Sequence, residues 1–377
     1  MSHRSLRVAI SAHLLEPRGV GYRSAGIHTY IEQTVRRLPE VDADLRVTLF
    51  ARHTLDGLNG AIEQAGTRWP TGRPVLRILW EQLRLPLAAR GCDVLHAAAF
   101  VSPLLQLRPA VVTVYDLSFA LFPQYFRGPN QAYLRIGTRR SARRAARVLT
   151  ISEHTRHDLH RLYAVPLDRI DVAYPGVDAA LTPPAPEDVA AFRHRRQLPD
   201  RFLLFLGTLE PRKNLVMLVQ AFAQLKRERP DAMLVLAGGV GWLADDVFAE
   251  IDRSGVKDSV IVPGFVPAEE KALWYAAATA FVYPSIYEGF GLPPLEAMAC
   301  GAPVIVSNAA SLPEVAGDAG LSVGPNDVSG WSHAMRRLWS DAALRDELRE
   351  RGLKQAQRFT WTETARVTAA AYRAAAR

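Results

Sequence analysis

The stretch YPSIYEGFGLPPLEAMAC, Tyr283 to Cys300, says more about the fold than any other part of this chain. An apolar run that reads as a strand ends at Tyr283. A loop then holds Glu288, Gly289, Phe290, Gly291 and Leu292, and Pro293 with Pro294 opens a helix. Proline suits the first helical turn, where its missing N–H has no intrahelical partner. The two glycines let the backbone approach a ligand closely and leave amide donors uncovered. A helix N-terminus with free N–H groups favours an anion, so a diphosphate fits there. Glu288 and Glu296, with seven residues between them, flank that point. Carboxylates beside an anion site repel the anion unless they turn away and accept hydroxyl hydrogen bonds, which sugars and riboses supply. Taken alone, the same pair also reads as a capping carboxylate and a surface helix residue.

On either side of this stretch, short apolar runs alternate with longer helical patterns, which argues for βα units and parallel sheets. Leu6 to Ala12, Arg46 to Phe50, Asp93 to His96, Ala110 to Tyr115 and Arg147 to Ile151 read as strands, with helices at Ile27 to Leu38 and Asn130 to Ala146. From Tyr174 to Pro186 the chain holds Pro175, Pro183, Pro184, Pro186 and Gly176, a density that breaks regular structure and suits a linker or its flank. The pattern then restarts. Phe202 to Leu206, Ala232 to Ala237, Val260 to Val262, Ala280 to Tyr283 and Pro303 to Val306 read as strands, and Leu215 to Arg227 as a helix. A length of 377 residues fits two domains of ordinary size. The expected fold class is α/β, two doubly wound Rossmann-like domains facing across a cleft. The first covers residues 1–178, the second 179–358, and a closing helix within 359–377 packs back on the first.

In open parallel sheets, ligands bind beyond the carboxyl ends of the strands, and further motifs fall at such ends. After Leu206 come Gly207, Thr208, Leu209, Glu210, Pro211, Arg212, Lys213 and Asn214, with a helix starting near Leu215. Two cations there suit a diphosphate. A diphosphate that leaves gains negative charge in the transition state, and cations fixed beside it stabilise that state more than the ground state. Thr113 to Leu117 also ends a strand, which makes Tyr115 and Asp116 candidates for a ligand cleft, with core packing or capping as the alternative. Gly19, Gly21 and Gly26 follow the first strand, but their spacing is not a dinucleotide fingerprint. His28 reads equally as a structural histidine or a contact, and Ser152 as a helix N-cap. Phe265 and Val266 follow another strand, where an aromatic serves a ligand or the core equally well.

These motifs, in this order, resemble glycosyltransferase family 4, retaining enzymes of the GT-B fold. The family signature is a Glu, a Gly-Phe-Gly-Leu-Pro-like loop and a second Glu eight positions on. Counterparts continue through VTVYDLSFALFP at Val112 to Pro123, VLTISEHTRHDL at Val148 to Leu159, Tyr174 to Val177, LGTLEPRKN at Leu206 to Asn214, Pro263 to Val266, and SNAASLPEVAGDAG at Ser307 to Gly320. The resemblance implies a nucleotide-sugar donor. It implies that Glu288 meets the donor sugar's hydroxyls, that Glu296 meets the ribose, and that the backbone of Gly289, Phe290, Gly291 and Leu292 lies against sugar and diphosphate. It implies that Arg212 and Lys213 bind phosphate, that Phe265 and Val266 lie by the base, and that Gly21 and Gly26 approach diphosphate and acceptor. Two positions depart from the family. Many members carry an Arg where this chain has Thr208, which shifts the bidentate role onto Arg212. Many carry a His where this chain has Tyr115. The acceptor is expected to be a glycan or lipid-linked hydroxyl, and a mannose on guanosine diphosphate is the donor suggested by family character.

Composition narrows the remaining classes. Apolar residues make up 49% and charged residues 22%, which excludes wholesale disorder. Two distant cysteines, Cys92 and Cys300, form no spaced ligand pair and suggest a reduced, cytoplasmic setting. The polar start, Met1 to Leu6, leads us to expect no signal-like leader, and with no apolar run near the length of a bilayer span, no membrane span is expected. No Asp-x-Asp cluster offers to hold a metal on a diphosphate, so no metal and no cofactor is expected. The formal charge is +8, and Arg127 to Arg161 holds nine arginines against Glu153 and Asp158. That patch, centred on Arg135 to Arg147, reads as a solvated face or as a peripheral contact with anionic membrane. No nucleic-acid module accompanies it. Competing readings are a sugar-nucleotide epimerase or phosphorylase of the same fold, and a sugar-nucleotide-binding protein without turnover.

Overall fold

The computed structural model describes residues 5–13, 15, 25–67, 69–125, 129–241 and 244–377. The chain divides into two compact units, one made of residues 1–176 with 360–377 and the other of 177–359.

The first unit holds a parallel sheet of strands β1 (Leu6–Ser11), β2 (Leu45–Phe50), β3 (Ile62–Ala65), β4 (Val94–Ala97), β5 (Ala110–Val114), β6 (Arg147–Thr150) and β7 (Ile170–Val172). Their order across the sheet is β3-β2-β1-β4-β5-β6-β7. The direction of winding reverses between β1 and β4, which leaves a crevice beyond their carboxyl ends. β4 and β5 are buried at every position because helices cover both faces, so they read as continuous apolar runs. The edge strands β3 and β7 are short and only partly buried, and both escaped the sequence reading.

The helix Trp361–Ala375 belongs to this unit and packs on the helix Ala25–Val41. Thr360 caps it by accepting from the Glu363 N–H at 3.2 Å. Its Tyr372 hydroxyl lies 2.7 Å from Nδ1 of His96, whose Nε2 lies 2.8 Å from the Thr113 hydroxyl. Burial holds the His96 imidazole neutral, with its pKa pulled down to about 3. Arg373 closes the far end with a two-pronged pair to Asp42, at 2.8 and 2.6 Å.

The second unit holds β8 (Leu203–Leu206), β9 (Leu234–Ala237), β10 (Val260–Gly264), β11 (Ala280–Tyr283), β12 (Val304–Ser307) and β13 (Gly320–Val323), all parallel. The order is β10-β9-β8-β11-β12-β13, so here the winding reverses between β8 and β11. β10 runs on to Gly264 through Pro263, which an edge strand tolerates because one side needs no ladder donor. Pro186, grouped above with the linker, instead opens the helix Pro186–Arg196, where its fixed φ suits the first turn.

Candidate functional site

The two motif-bearing loops leave the two strands that flank the reversal in the second unit. β8 delivers Gly207 to Asn214 and β11 delivers Pro284 to Gly291. They are joined through the backbone, the Ile286 N–H donating to the Arg212 carbonyl at 3.0 Å. Asn214 ends the first loop in the left-handed region at φ 58, which Asn adopts more readily than most residues. Its side-chain amide donates to the Pro325 carbonyl at 2.6 Å.

Four charged side chains meet between these loops. Lys213 Nζ donates to Glu288 Oε1 at 2.6 Å and to the Tyr283 hydroxyl at 2.6 Å. Arg212 Nη1 donates to the Tyr287 carbonyl at 2.8 Å and lies 3.2 Å from Glu288 Oε2, while Nη2 donates to Glu210 Oε1 at 2.8 Å. Lys213, Glu210 and Glu288 are all buried. Burial alone would raise the Glu288 carboxyl, but Arg212 and Lys213 outweigh it and hold the pKa at about 2. Burial lifts the Tyr283 phenol well above its ordinary range, so it stays protonated beside the pair. Tyr283 and Glu210 carry no signal in the motif beyond sharing its loops.

The helix Leu292–Ala299 begins next to this cluster with Gly291 at its N-cap. Gly291 has φ 113, and a Cβ built there would lie 2.7 Å from Leu312 Cδ2. Gly291→Ala therefore destabilises the second unit by about 2–3 kcal/mol, from left-handed strain and overpacking together. Denaturant titration checks this, and a change under about 0.5 kcal/mol would contradict the packing argument. The loop is fixed from behind by the Ser311 hydroxyl, within 2.9 Å of the Glu288 carbonyl and 2.7 Å of the Phe290 carbonyl. Phe290 is buried and meets Phe359 edge to face. Its contribution at the surface of the loop is thus its backbone, as it is for Gly289, while Leu292 is half-buried in the first turn.

Glu296 lies further along the same helix. Both its oxygens accept from Lys271 Nζ, at 2.8 and 2.9 Å, and Oε2 also accepts from the Tyr275 hydroxyl at 2.8 Å. Neither partner was legible, because Lys271 and Tyr275 sit on a neighbouring helix, Lys271–Ala277. Thr208 is half-buried next to Gly241. Val266 is buried, whereas Phe265 is 67% exposed, an aromatic ring outside the core.

In the first unit some expectations change, and Ser152 and the exposed arginines stand as expected. Tyr115 is a core residue rather than one that faces a ligand. It is 4% exposed, its hydroxyl donates to the Ala98 carbonyl at 2.7 Å, and its ring packs edge-on against Tyr30 and Phe100. Asp116 acts locally: its Oδ1 accepts from the Ser118 N–H at 2.9 Å and the Ser118 hydroxyl at 2.6 Å. Gly26 lies in the first turn of the helix Ala25–Val41, not in the loop before it. Gly21 lies outside the described residues. His28 Nε2 faces Glu32 at 3.2 Å, and Ser152 caps its helix by accepting from the Thr155 N–H at 3.1 Å. In the basic patch, Arg135, Arg139, Arg140, Arg143 and Arg144 are exposed on the helix Pro129–Arg144. Arg147 is withdrawn from it by a two-pronged pair with Asp171, at 2.9 and 2.5 Å.

Two doubly wound units, one of them with paired cations and carboxylates at its reversal point, form the GT-B architecture of glycosyltransferases. The family described as Glycosyltransferase Family 4 matches residues 24–181, and that described as Glycosyl transferases group 1 matches residues 187–355. Over 271 residues the chain is 39% identical to an O-antigen chain mannosyltransferase B of Escherichia coli, covering 71% of each protein. With a serotype-specific mannosyltransferase of Escherichia coli it shares 34% identity over 59% of its own length, spanning 28% of that larger protein. It superposes on a sucrose-phosphate synthase from Thermosynechococcus elongatus with a TM-score of 0.76, over 98% of both chains at 24% identity. The chain belongs to glycosyltransferase family 4, and it is a glycosyltransferase.

Proposed function

We propose that this enzyme moves a mannose-like hexose, with retention and without a metal, from a nucleoside-diphosphate donor to a hydroxyl of a growing or lipid-linked glycan. The observation that carries the reading is the cluster of half-buried Arg212 with buried Lys213 and Glu288 beside the N-terminus of the helix Leu292–Ala299. Arg212, Lys213 and that helix N-terminus supply positive charge for the diphosphate as it leaves, and Thr208, on the loop that carries both cations, offers it a hydroxyl. Glu288, held ionised, accepts from hydroxyls of the donor sugar. Glu296, oriented by Lys271 and Tyr275, accepts from the ribose, and the exposed Phe265 ring offers a face to the base. The bond from the anomeric carbon to the phosphate oxygen breaks as the bond to the acceptor oxygen forms on the same face. The departing phosphate oxygen takes the acceptor's proton, so positioning replaces a protein nucleophile. Mannose as the transferred sugar draws on the two mannosyltransferase relatives.

Thermal unfolding in GDP, UDP, ADP and dTDP, each with and without magnesium, tests the reading. One diphosphate at about 100 times its Kd stabilises by about 2.7 kcal/mol, and GDP without magnesium is the expected one. Stabilisation by none, or only with magnesium, would overturn the metal-free diphosphate site.

A lipid-linked acceptor also calls for a surface that meets a membrane, and we place it on the first unit. Val75, Leu79 and Leu83 are exposed along one stripe of the helix Pro74–Leu83. Leu104 and Leu105 are exposed nearby, and the Leu104 carbonyl accepts from Arg144 of the basic helix at 3.1 Å. Among the described residues no helix is long and apolar enough to cross a membrane. Each arginine near an anionic surface contributes about 1 kcal/mol. Changing Arg139, Arg140, Arg143 and Arg144 to Gln is therefore expected to weaken binding to phosphatidylglycerol vesicles at least tenfold, and unchanged co-sedimentation would leave the patch a solvated face.

A further inference from the structure

His13 is 4% exposed, and neither of its ring nitrogens has a hydrogen-bond partner among the described residues. Two unsatisfied buried polar atoms cost about 1–3 kcal/mol each, so a residue kept in this state calls for an explanation. Its position supplies one. His13 follows β1, and it lines a small cavity with Arg77, Glu81 and the Ala97–Ala99 segment that follows from β4. That cavity therefore opens where the winding of the first sheet reverses, the place at which such sheets take ligands. The site is in the first unit, whereas the donor cluster is in the second.

The ring is held in place. It meets Trp80 edge to face, with centroids 4.4 Å apart. Arg77 and Glu81 lie on the same helix as Trp80, one turn apart, and pair at 3.3 Å. Burial, with Arg77 assisting, lowers the His13 pKa to about 4, so at neutral pH the imidazole offers one donor and one acceptor. The cavity thus presents a neutral ring and a cation–carboxylate pair whose charges cancel. A hydroxyl, which donates to one partner and accepts from another, matches the set. The cavity, about 10 Å³, has room for one hydroxyl or one water and none for a sugar ring.

We propose that His13, with Arg77 and Glu81, binds one hydroxyl of the acceptor glycan and so fixes which acceptor is used. This rests on the glycosyltransferase reading. The test uses methyl α-mannoside as acceptor, with the sugar donor of whichever nucleotide stabilises the parent protein. Three quantities are measured: acceptor KM, donor hydrolysis without acceptor, and the nucleotide-induced thermal shift.

In His13→Ala the acceptor KM rises at least tenfold, while donor hydrolysis and the thermal shift stay at parental levels. His13→Asn, which keeps a donor and an acceptor, recovers part of the loss and serves in place of the alanine variant should that fail to fold. Glu81→Gln raises KM in the same way, because an acceptor atom becomes a donor. An unchanged KM in His13→Ala and in Glu81→Gln, with the thermal shift intact, would mean that the cavity holds a structural water, and would overturn the subsite alone. A parent protein that no nucleotide stabilises would overturn the donor reading and this subsite with it.

Discussion

Lys213→Met is expected to lower the transfer rate by about two to three orders of magnitude, the loss seen when one fixed donor to a developing anion is removed. The ammonium is buried between Glu288 Oε1 and the Tyr283 hydroxyl, 2.6 Å from each, so no other cation can move into its place without displacing those partners. The substitution also leaves Glu288 with Arg212, at 3.2 Å, as its one cation, beside the neutral Tyr283 hydroxyl at 3.3 Å. Breaking a buried pair from one side costs about 3–5 kcal/mol, which would mix a folding defect with a catalytic one. The double variant Lys213→Met with Glu288→Gln separates them. With both charges of the pair gone, stability returns to within about 1–2 kcal/mol of the parent while transfer stays lost. Turnover near the parental level in a folded Lys213→Met protein would rule out its phosphate role.

Glu288→Gln is expected to part binding from turnover. Glu288 draws on the same two cations that a diphosphate requires, so removing its charge leaves Arg212 and Lys213 more strongly positive. We expect nucleoside diphosphate to bind as tightly as in the parent or up to about tenfold more tightly, a gain of about 1.4 kcal/mol. Transfer falls at least a hundredfold, because an amide accepts sugar hydroxyls at one atom rather than two and carries no charge to offset that developing at the anomeric centre. Weaker nucleotide binding together with parental transfer would contradict this arrangement. The pH dependence has a definite sign. The folded carboxyl, at about 2, lies below its unfolded value of 4.5, so the stability it contributes is present above pH 4.5 and is lost as pH falls toward 2. No limb of the rate profile between pH 5 and 7 should therefore trace to Glu288, and a parental acid limb there that vanishes in Glu288→Gln would count against its being held ionised.

The second unit was more legible than the first because its ligand loops announce themselves locally. Ala280 to Pro294 specify a strand, a tight loop and a helix start within one stretch of chain, and the structure puts each where the residues require. Arg212 and Lys213 were found through their place after an apolar run. What could not be read were partners supplied by neighbouring elements. Glu210 turns back on Arg212, Lys271 and Tyr275 reach Glu296 from another helix, and Ser311 pins the loop from behind. Such contacts depend on packing, for which periodicity gives no coordinate. Tyr115 shows the opposite failure. Its position after a strand suggested a ligand face, but a phenol ring beside Tyr30, Phe100 and the Ala98 carbonyl gains more by burial. The missed strands β3, β7 and β13 are short edge pieces with too few apolar residues to stand out.

The first unit is closed by residues that follow the second in the chain. Tyr30, Tyr115 and Trp361 form one aromatic cluster, and Tyr372 completes the hydrogen bonds of His96, yet Trp361 and Tyr372 leave the ribosome only after all of residues 177–359. During synthesis the first sheet must therefore wait, with the face destined for the helix Trp361–Ala375 uncovered, while a whole second unit is made and folds. The helix Trp361–Ala375 acts as a completion signal for the first unit. A product that stops short of Trp361 would carry an intact second unit and an unfinished first one, exposed to proteases through the gap that the missing helix leaves.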